Sequence, residues 1–192
     1  MDLVIENVGR RSSRWGGVGD PTDVGDASLN GRERNALFWN RGDGRFEDVG
    51  FHAHANRAED GRGVAVADFD RDGQLDLAIQ NLDKPAVLLM GRGARGHWLQ
   101  LALEGVRSTR DAVGAIAVAE VGGRRLTRQV AAGQGFVSSS SKVLHFGLGD
   151  ASRVDRLEIR WPSGGRTVLR DVAADRRIVV REGDAEAVTE AR

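Results

Sequence analysis

The chain has 192 residues, enough for one or two domains that bury a hydrophobic core. Its 28 basic and 28 acidic residues give no net charge, and because they are interspersed they create no field for binding nucleic acid or an acidic membrane surface. Cysteine is absent, which excludes disulfides and thiolate metal sites, and no apolar run reaches the roughly 18 residues of a membrane span. The 26 glycines and the short apolar segments predict an all-β chain with many turns.

The N-terminal segment contains a partial repeat. Residues 1–7 align with residues 75–81, with Asp, Leu, Ile and Asn at matching places. The alignment puts Asp2 near the end of an acidic loop whose earlier positions are missing, so we expect the chain to begin inside a repeat; a chance match is the alternative. The same residues show no basic segment or long apolar core, so no signal peptide is predicted and the compartment stays open. Residues 8–34 are polar and Gly-rich, which predicts a long loop.

A β-hairpin is predicted next. Residues 37–39 are apolar or aromatic, residues 46–49 begin with Phe and end with Val, and the Asp-Gly pair within residues 40–44 is a strong turn signal. His52 and His54 would share one face of an extended segment, where two imidazoles could begin a transition-metal site. No third ligand is identifiable nearby, so surface histidines are the better interpretation.

The most informative segment is the acidic loop at residues 68–76, with the sequence DFDRDGQLD. Apolar runs at 63–67 and 75–79 enter and leave it as predicted strands. The alternate spacing of the carboxylates lets them converge on one point if the backbone coils, and Gly73 permits the sharp bend. A hard cation that prefers oxygen ligands suits such a pocket, and calcium is the best candidate. The predicted ligands are the side chains of Asp68, Asp70, Asp72 and Asp76 and the backbone carbonyl of Gln74.

The acidic loop resembles an EF-hand loop but departs from it. Position twelve is Ile79, where an EF-hand has a bidentate glutamate, and the flanking segments predict strands rather than helices. The alternative is a solvated acidic turn without metal. Mutual repulsion of four carboxylates favours the cation.

A glycine-rich segment marks a boundary. Residues 86–90 predict a strand, and residues 91–96 match the G-x-G-x-x-G fingerprint, which requires a following helix. Residues 97–103 predict a strand instead. We therefore interpret 91–96 as a linker.

Residues 97–182 predict a run of strands. The pair Gly122-Gly123 predicts a hairpin turn. Apolar and charged residues alternate over 156–161, which predicts one buried face and one solvent-exposed face. Residues 183–192 are polar and are predicted to fray.

Several segments resemble known families. Residues 63–67 with the acidic loop, and residues 37–46, are similar to the FG-GAP/VCBS repeats of integrin-α-like β-propellers. Residues 97–165 resemble the ASPIC/UnbV domain through His97-Trp98-Leu99, Asp111 to Ala115, Leu144 to Gly149 and Trp161 to Gly164. The resemblance implies a partial β-propeller of about one and a half blades at residues 1–90. It implies a small β-sandwich-like ASPIC/UnbV domain at residues 97–182, after the linker at 91–96 and before the polar tail at 183–192.

The functional hypothesis is a calcium-stabilised, non-enzymatic interaction module with a protein or carbohydrate partner. The family resemblance implies export of the full-length form. Some bacterial members are encoded in enediyne biosynthesis clusters, so one alternative is an accessory protein or enzyme of natural-product assembly. Another is a truncated remnant without independent function. We also expect self-association of residues 1–90 through open propeller edges.

Catalytic motifs do not favour an enzyme. Residues 139–142 match S-x-x-K, but that motif needs a helix start and a later K-T-G, and neither is present. Catalysis by a carboxylate pair stays open because acidic residues are plentiful.

Overall fold

Strands are the regular elements of the protein. A computed structural model describes residues 3–6, 34–82, 84–93, 96–135, 137–184 and 187–190. Every regular element in this part of the chain is a β-strand, which confirms the all-β prediction, and none of these residues forms a helix capable of crossing a membrane. Apart from Arg34, the long loop predicted at residues 8–34 lies outside the described residues, as does Asp2. The strands are β1 Leu3–Glu6, β2 Ala36–Asn40, β3 Phe46–Asp48, β4 Gly61–Ala67, β5 Asp76–Asn81, β6 Val87–Leu89, β7 His97–Glu104, β8 Ile116–Val121, β9 Arg124–Gln129, β10 Leu144–Gly149, β11 Arg153–Arg160, β12 Arg166–Ala173, β13 Arg176–Arg181 and β14 Val188–Thr189.

The chain divides into two compact units. The first consists of Met1–Val64 with Ala78–Leu89, and the second of Ala65–Leu77 with Met90–Arg192. The acidic loop therefore belongs to the second unit by its packing, whereas the sequence division at residues 91–96 groups it with residues 1–90.

Two small open sheets account for β1 to β6. Strands β1, β2 and β3 form an antiparallel sheet in chain order, and β4, β5 and β6 form a second three-stranded sheet in chain order. The predicted hairpin is confirmed: Phe38 pairs with Asp48, and the turn closes where the Arg41 N–H donates to the Arg45 carbonyl at 3.0 Å. Neither sheet closes on itself among the described strands, as a partial propeller requires.

The histidine pair lies in a turn rather than in an extended segment. The Ala53 N–H donates to the Val49 carbonyl at 2.9 Å, and His54 has a φ of 55°. The expectation that His52 and His54 share one face of an extended segment is therefore wrong, because the chain coils here. Both side chains are exposed, as surface histidines would be.

The second unit contains a β-sandwich. Its sheets have the strand orders β10-β7-β13-β14 and β12-β11-β8-β9, and β13 runs parallel to β7. Alternate side chains point from both sheets into one continuous hydrophobic cluster, including Leu99 and Leu101 of β7 and Leu157 and Ile159 of β11. This arrangement confirms the predicted β-sandwich-like domain.

The predicted Gly-Gly hairpin joins β8 to β9. Gly122 and Gly123 have φ values of 52° and 77°, so both central residues occupy the left-handed region that a two-residue hairpin of type I′ requires. Val121 pairs with Arg124 directly across the turn. The turn residues thus fix the register of the two strands.

The outer face of β11 is not fully solvent-exposed. Glu158 is only 5% exposed, so the predicted exposed face is wrong at this position. Arg160 Nε donates to Glu158 Oε1 at 2.8 Å, Arg156 Nη2 donates to Oε2 at 2.5 Å, and Arg166 Nη1 lies 3.6 Å from Oε1. The hydrogen bonds from Arg160 and Arg156 outweigh the effect of burial and lower the pKa of Glu158 to about 2. Three arginines therefore cover a charge that simple alternation places in water.

The polar C-terminal segment contains a short strand that the sequence did not predict. Val188 pairs with Val179 of β13, and the Glu190 N–H donates to the Arg177 carbonyl at 2.9 Å. Arg177 Nε also lies 2.7 Å from Glu190 Oε2. These contacts hold residues 188–190 at the sheet edge.

Candidate metal centre

The acidic loop connects β4 to β5 through a tight backbone coil. Arg71 and Gly73 have φ values of 61° and 90°, in the left-handed region. Gly73 meets a second constraint, because a Cβ at this position would overlap the indole ring of Trp98. The predicted need for glycine in the bend is therefore joined by a packing requirement that involves β7.

Three predicted ligands converge. Asp68, Asp70 and Asp76 each place a carboxylate oxygen within 4.8 Å of the others. Calcium–oxygen bonds are about 2.3–2.6 Å long, so two oxygens on opposite sides of one ion stand roughly 5 Å apart. The donor set and its separation fit a hard divalent cation.

Asp76 is the buried anchor of the site. Its side chain is 0% exposed, and its two oxygens accept hydrogen bonds from the Phe69 N–H at 2.7 Å and the Gly91 N–H at 2.8 Å. The carboxylate thus joins the start of the loop to the segment after β6. Its orientation is fixed without an ion.

Asp68 is held on the other side of the loop. Its Oδ1 accepts the Asp72 N–H at 3.1 Å, and its Oδ2 accepts the Gly73 N–H at 2.9 Å. The Gln100 side chain donates to the same Oδ2 at 2.7 Å. Because Gln100 is a buried residue of β7, the sandwich itself orients this carboxylate.

The remaining predicted ligands are placed differently. Asp72 lies outside the converging group of three; its Oδ1 accepts the Gln74 N–H at 2.8 Å and its Oδ2 accepts from Gln74 Nε2 at 3.0 Å. Binding of one ion by all five predicted residues therefore stays a prediction.

Arg92 is a site residue that the sequence analysis missed. Its Nη2 donates to Asp70 Oδ2 and its Nη1 donates to Asp72 Oδ2, both at 2.8 Å. The hydrogen bond from Arg92 holds the pKa of Asp70 below its usual range, and the same bond raises the pKa of Arg92. No sequence pattern links Arg92 to carboxylates 20 and 22 residues away.

An aromatic pair lies behind the acidic loop. Trp98 of β7 stacks on His145 of β10, with ring centroids 6.4 Å apart and planes inclined by 12°. Burial lowers the pKa of His145 from 6.5 to about 4, although the Asp68 carboxylate acts in the opposite direction. The imidazole is therefore neutral at neutral pH and adds no positive charge to the site.

A cavity of about 280 Å³ adjoins these residues. Its lining residues are mainly charged or polar: Asp68, Arg71, Trp98, Gln100, Asp175, Arg176, Arg177, Thr189 and Glu190. The acidic loop thus borders an open space.

The serine run makes backbone contacts. Ser139 Oγ donates to the Ala132 carbonyl at 3.2 Å, and Ser141 Oγ accepts the Val143 N–H at 3.2 Å. Residues 139–142 are irregular, so the helix start that the S-x-x-K motif needs is missing at this position.

Two family models match different parts of the chain. Residues 105–187 match the family model "ASPIC and UnbV", and residues 23–79 match the model "FG-GAP-like repeat". The chain is 43% identical to human cartilage acidic protein 1 over 63 residues, which are 32% of this chain and 10% of the relative. It is 34% identical to the Xenopus tropicalis protein of the same name over 122 residues, 59% of this chain and 18% of the relative.

The mouse cartilage acidic protein 1 is 41% identical over 63 residues, again 32% of this chain and 10% of the relative. The matched segments thus span between 10% and 18% of the length of these curated relatives. The FG-GAP-like match ends within β5 and so includes the acidic loop, and the ASPIC and UnbV match covers most of the β-sandwich. Along the chain, a match to the FG-GAP-like repeat model is therefore followed by a match to the ASPIC and UnbV model.

Proposed function

We propose that this chain is a calcium-stabilised, non-enzymatic interaction module. The observation that carries the proposal is the convergence of Asp68, Asp70 and Asp76 within 4.8 Å in a loop between two strands. Two of these carboxylates are oriented by backbone N–H groups before any ion binds. Such preorganisation supports a site for a cation rather than a plain solvated turn.

The proposed ligands are the four loop aspartates, Asp68, Asp70, Asp72 and Asp76, and the backbone carbonyl of Gln74. Bound calcium would neutralise the repulsion among the carboxylates and hold the coil between β4 and β5. We expect a weak affinity, on the order of 10⁻⁴ to 10⁻³ M, as in extracellular calcium modules. Calcium would thus act as a structural ion in a calcium-rich environment.

The role in interaction rests on the domain composition. FG-GAP-like repeats and an ASPIC/UnbV domain occur here without a charge field for nucleic acid, which favours a protein or carbohydrate partner. The relatives are named for cartilage, so an exported form is the proposed setting. We further propose that residues 1–90 form incomplete propeller repeats, that 91–96 link them to the domain at 97–182, and that 183–192 form a polar tail.

Calorimetry tests the calcium site. Asp70 is the best residue to replace, because its carboxylate is partly exposed and accepts one backbone N–H, whereas Asp68 and Asp76 accept two each. We expect Asp70→Ala to weaken calcium binding at least about tenfold, since an ion loses one charged ligand. Asp150→Ala, at an exposed carboxylate after β10, is the matched control and should bind calcium like the wild type. Equal heats from wild type and Asp70→Ala would remove the site.

A further inference from the structure

We infer that Arg92 is a tethered counter-cation that competes with calcium for Asp70 and Asp72 and thereby sets the calcium affinity of the acidic loop. The inference rests on the calcium site proposed above. It concerns a residue outside the loop that contributes a charge rather than a ligand.

Both carboxylate oxygens of Asp70 and of Asp72 already accept hydrogen bonds. Asp70 Oδ1 accepts the Asp72 N–H at 3.3 Å, and Asp72 Oδ1 accepts the Gln74 N–H at 2.8 Å. The other oxygen of each carboxylate accepts from the Arg92 guanidinium at 2.8 Å. Arg92 therefore bridges the two aspartates as a planar fork, a geometry that arginine provides and lysine does not.

Asp72 lies outside the converging carboxylates and is engaged by Arg92. Asp68, Asp70 and Asp76 form the close group, whereas Asp72 Oδ2 accepts from Arg92 Nη1 at 2.8 Å and from Gln74 Nε2 at 3.0 Å. A calcium ion that used Asp70 and Asp72 would stand beside the guanidinium, and the repulsion between these like charges favours release of Arg92. Calcium binding then costs the two ion pairs of Arg92.

Arg92 is suited to reversible exchange. Its side chain is 57% exposed, so a released guanidinium becomes fully hydrated, and exposed ion pairs are weak enough to break. It directly follows Gly91, whose N–H donates to the buried Asp76 at 2.8 Å. The backbone stays anchored at the site while the arginine side chain moves.

The test compares calcium affinity in three variants at about 0.15 M salt, where the screening length is roughly 8 Å. Arg92→Gln should bind calcium about fivefold to tenfold more tightly than the wild type, because two exposed ion pairs no longer oppose the ion. Arg92→Lys, which keeps the charge but not the fork, should lie between them. Arg110→Gln is the matched control: it removes one positive charge from an exposed side chain whose Nε lies 3.8 Å from Asp111 rather than on a loop aspartate. Its affinity should change by less than about twofold.

A second measurement follows Arg92 directly. The side-chain N–H signals of Arg92 in a proton–nitrogen NMR spectrum should shift towards those of a free arginine as calcium is added. Calcium heats in the wild type with an unchanged or weaker affinity in Arg92→Gln would overturn the role of Arg92 and leave the calcium site intact. Calcium heats absent from the wild type and all three variants would remove both. Heats seen only in Arg92→Gln would support both, with Arg92 as the dominant competitor.

Discussion

Among the described residues, the two compact units form similar strands but bury very different sets of apolar side chains. In the first unit, the buried hydrophobic residues that the structure describes are Leu37, Ala55 and Ile79. Phe51 and Leu88 of the same unit are 73% and 53% exposed. The second unit instead fills one continuous cluster from both sheets of its sandwich. Strand formation thus needs only a local pattern and turn residues, whereas independent stability needs a second layer to cover the apolar face.

The largest expected effect comes from paired phenylalanine substitutions. Phe146→Ala removes a fully buried ring beneath the Arg128 guanidinium and should lower the free energy of unfolding of the sandwich by about 3–5 kcal/mol. Phe51→Ala, at an exposed ring of the first unit, should change it by less than about 0.5 kcal/mol. Chemical denaturation of both variants measures the difference. A comparable loss in Phe51→Ala would show that the first unit is covered and contributes to the same cooperative core.

Hydrogen exchange addresses the same contrast in the wild type. We expect backbone amides of β2 and β3 to exchange at least about a hundredfold faster than those of β7 and β11, because few apolar contacts oppose local opening. Calcium should slow exchange in the strands next to the acidic loop, since an ion that binds only the folded loop stabilises it. Asp70→Ala is the control and should show less slowing than the wild type at the same calcium concentration.

Sedimentation tests the expected self-association of residues 1–90. At increasing protein concentration it should show reversible association through open sheet edges. Strong, uniform and calcium-independent protection across residues 37–90 in a monomer would contradict both expectations. The first unit would then have a closed fold of its own.

The sequence predicts the fold well where the signal is local. The alternation of Leu157 and Ile159 and the Gly122-Gly123 pair each determine a strand or turn from neighbouring residues, and the structure agrees. The predicted alternation of buried and exposed residues fails at Glu158, because the arginines that bury this carboxylate include Arg166 on the adjacent strand. Charged residues can be covered by other charges, and strand periodicity carries no information about that.

The candidate site divides in the same way. The acidic residues at alternate positions identify the loop, because their spacing is local. Gln100 contacts Asp68 across 32 residues of sequence, and Arg92 contacts Asp70 across 22 residues. Only the packing of the folded chain reveals these two contacts. The sequence therefore predicts the candidate ligands but not the residues that orient them or compete for them.

Glu182 is another buried carboxylate that depends on distant partners. Its Oε2 accepts the backbone N–H groups of Val106, Arg107 and Ser108 at 2.8, 2.7 and 2.7 Å. The Ser163 hydroxyl donates to Oε1. Burial alone raises the pKa of Glu182, but the Ser163 hydroxyl and these N–H groups outweigh it and lower the pKa to about 2.

The free energy of unfolding of the second unit should therefore depend on pH through Glu182. Because the folded pKa is below the ordinary value of 4.5, ionised Glu182 stabilises the fold fully above about pH 4.5, and this stabilisation is lost as the pH falls through about 2. At pH 7, Glu182→Gln should lower the free energy of unfolding, but by less than Phe146→Ala does. The difference between Glu182→Gln and the wild type should shrink between pH 4.5 and 2. Glu104→Gln, an exposed control at the end of β7, should track the wild type. A difference that is constant with pH would show that the variant acts through packing alone.

The smallest expected effect concerns the serine run and explains why the end of β4 belongs to the second unit. Ser140 Oγ accepts the Val66 N–H at 3.1 Å, and the Ser141 N–H donates to the Val66 carbonyl at 2.9 Å. Ser140→Ala removes one of these two bonds and should destabilise the attachment of Val66 by about 1 kcal/mol, visible as faster exchange of its amide. Ser139→Ala is the matched control, because its exposed hydroxyl contacts the Ala132 carbonyl, and it should leave Val66 unchanged.

The same variants, together with Ser141→Ala, should show no loss of ester turnover beyond background, because these hydroxyls serve backbone contacts. Turnover by the wild type that Ser139→Ala or Ser141→Ala abolishes would overturn the non-enzymatic proposal and give this run a catalytic role.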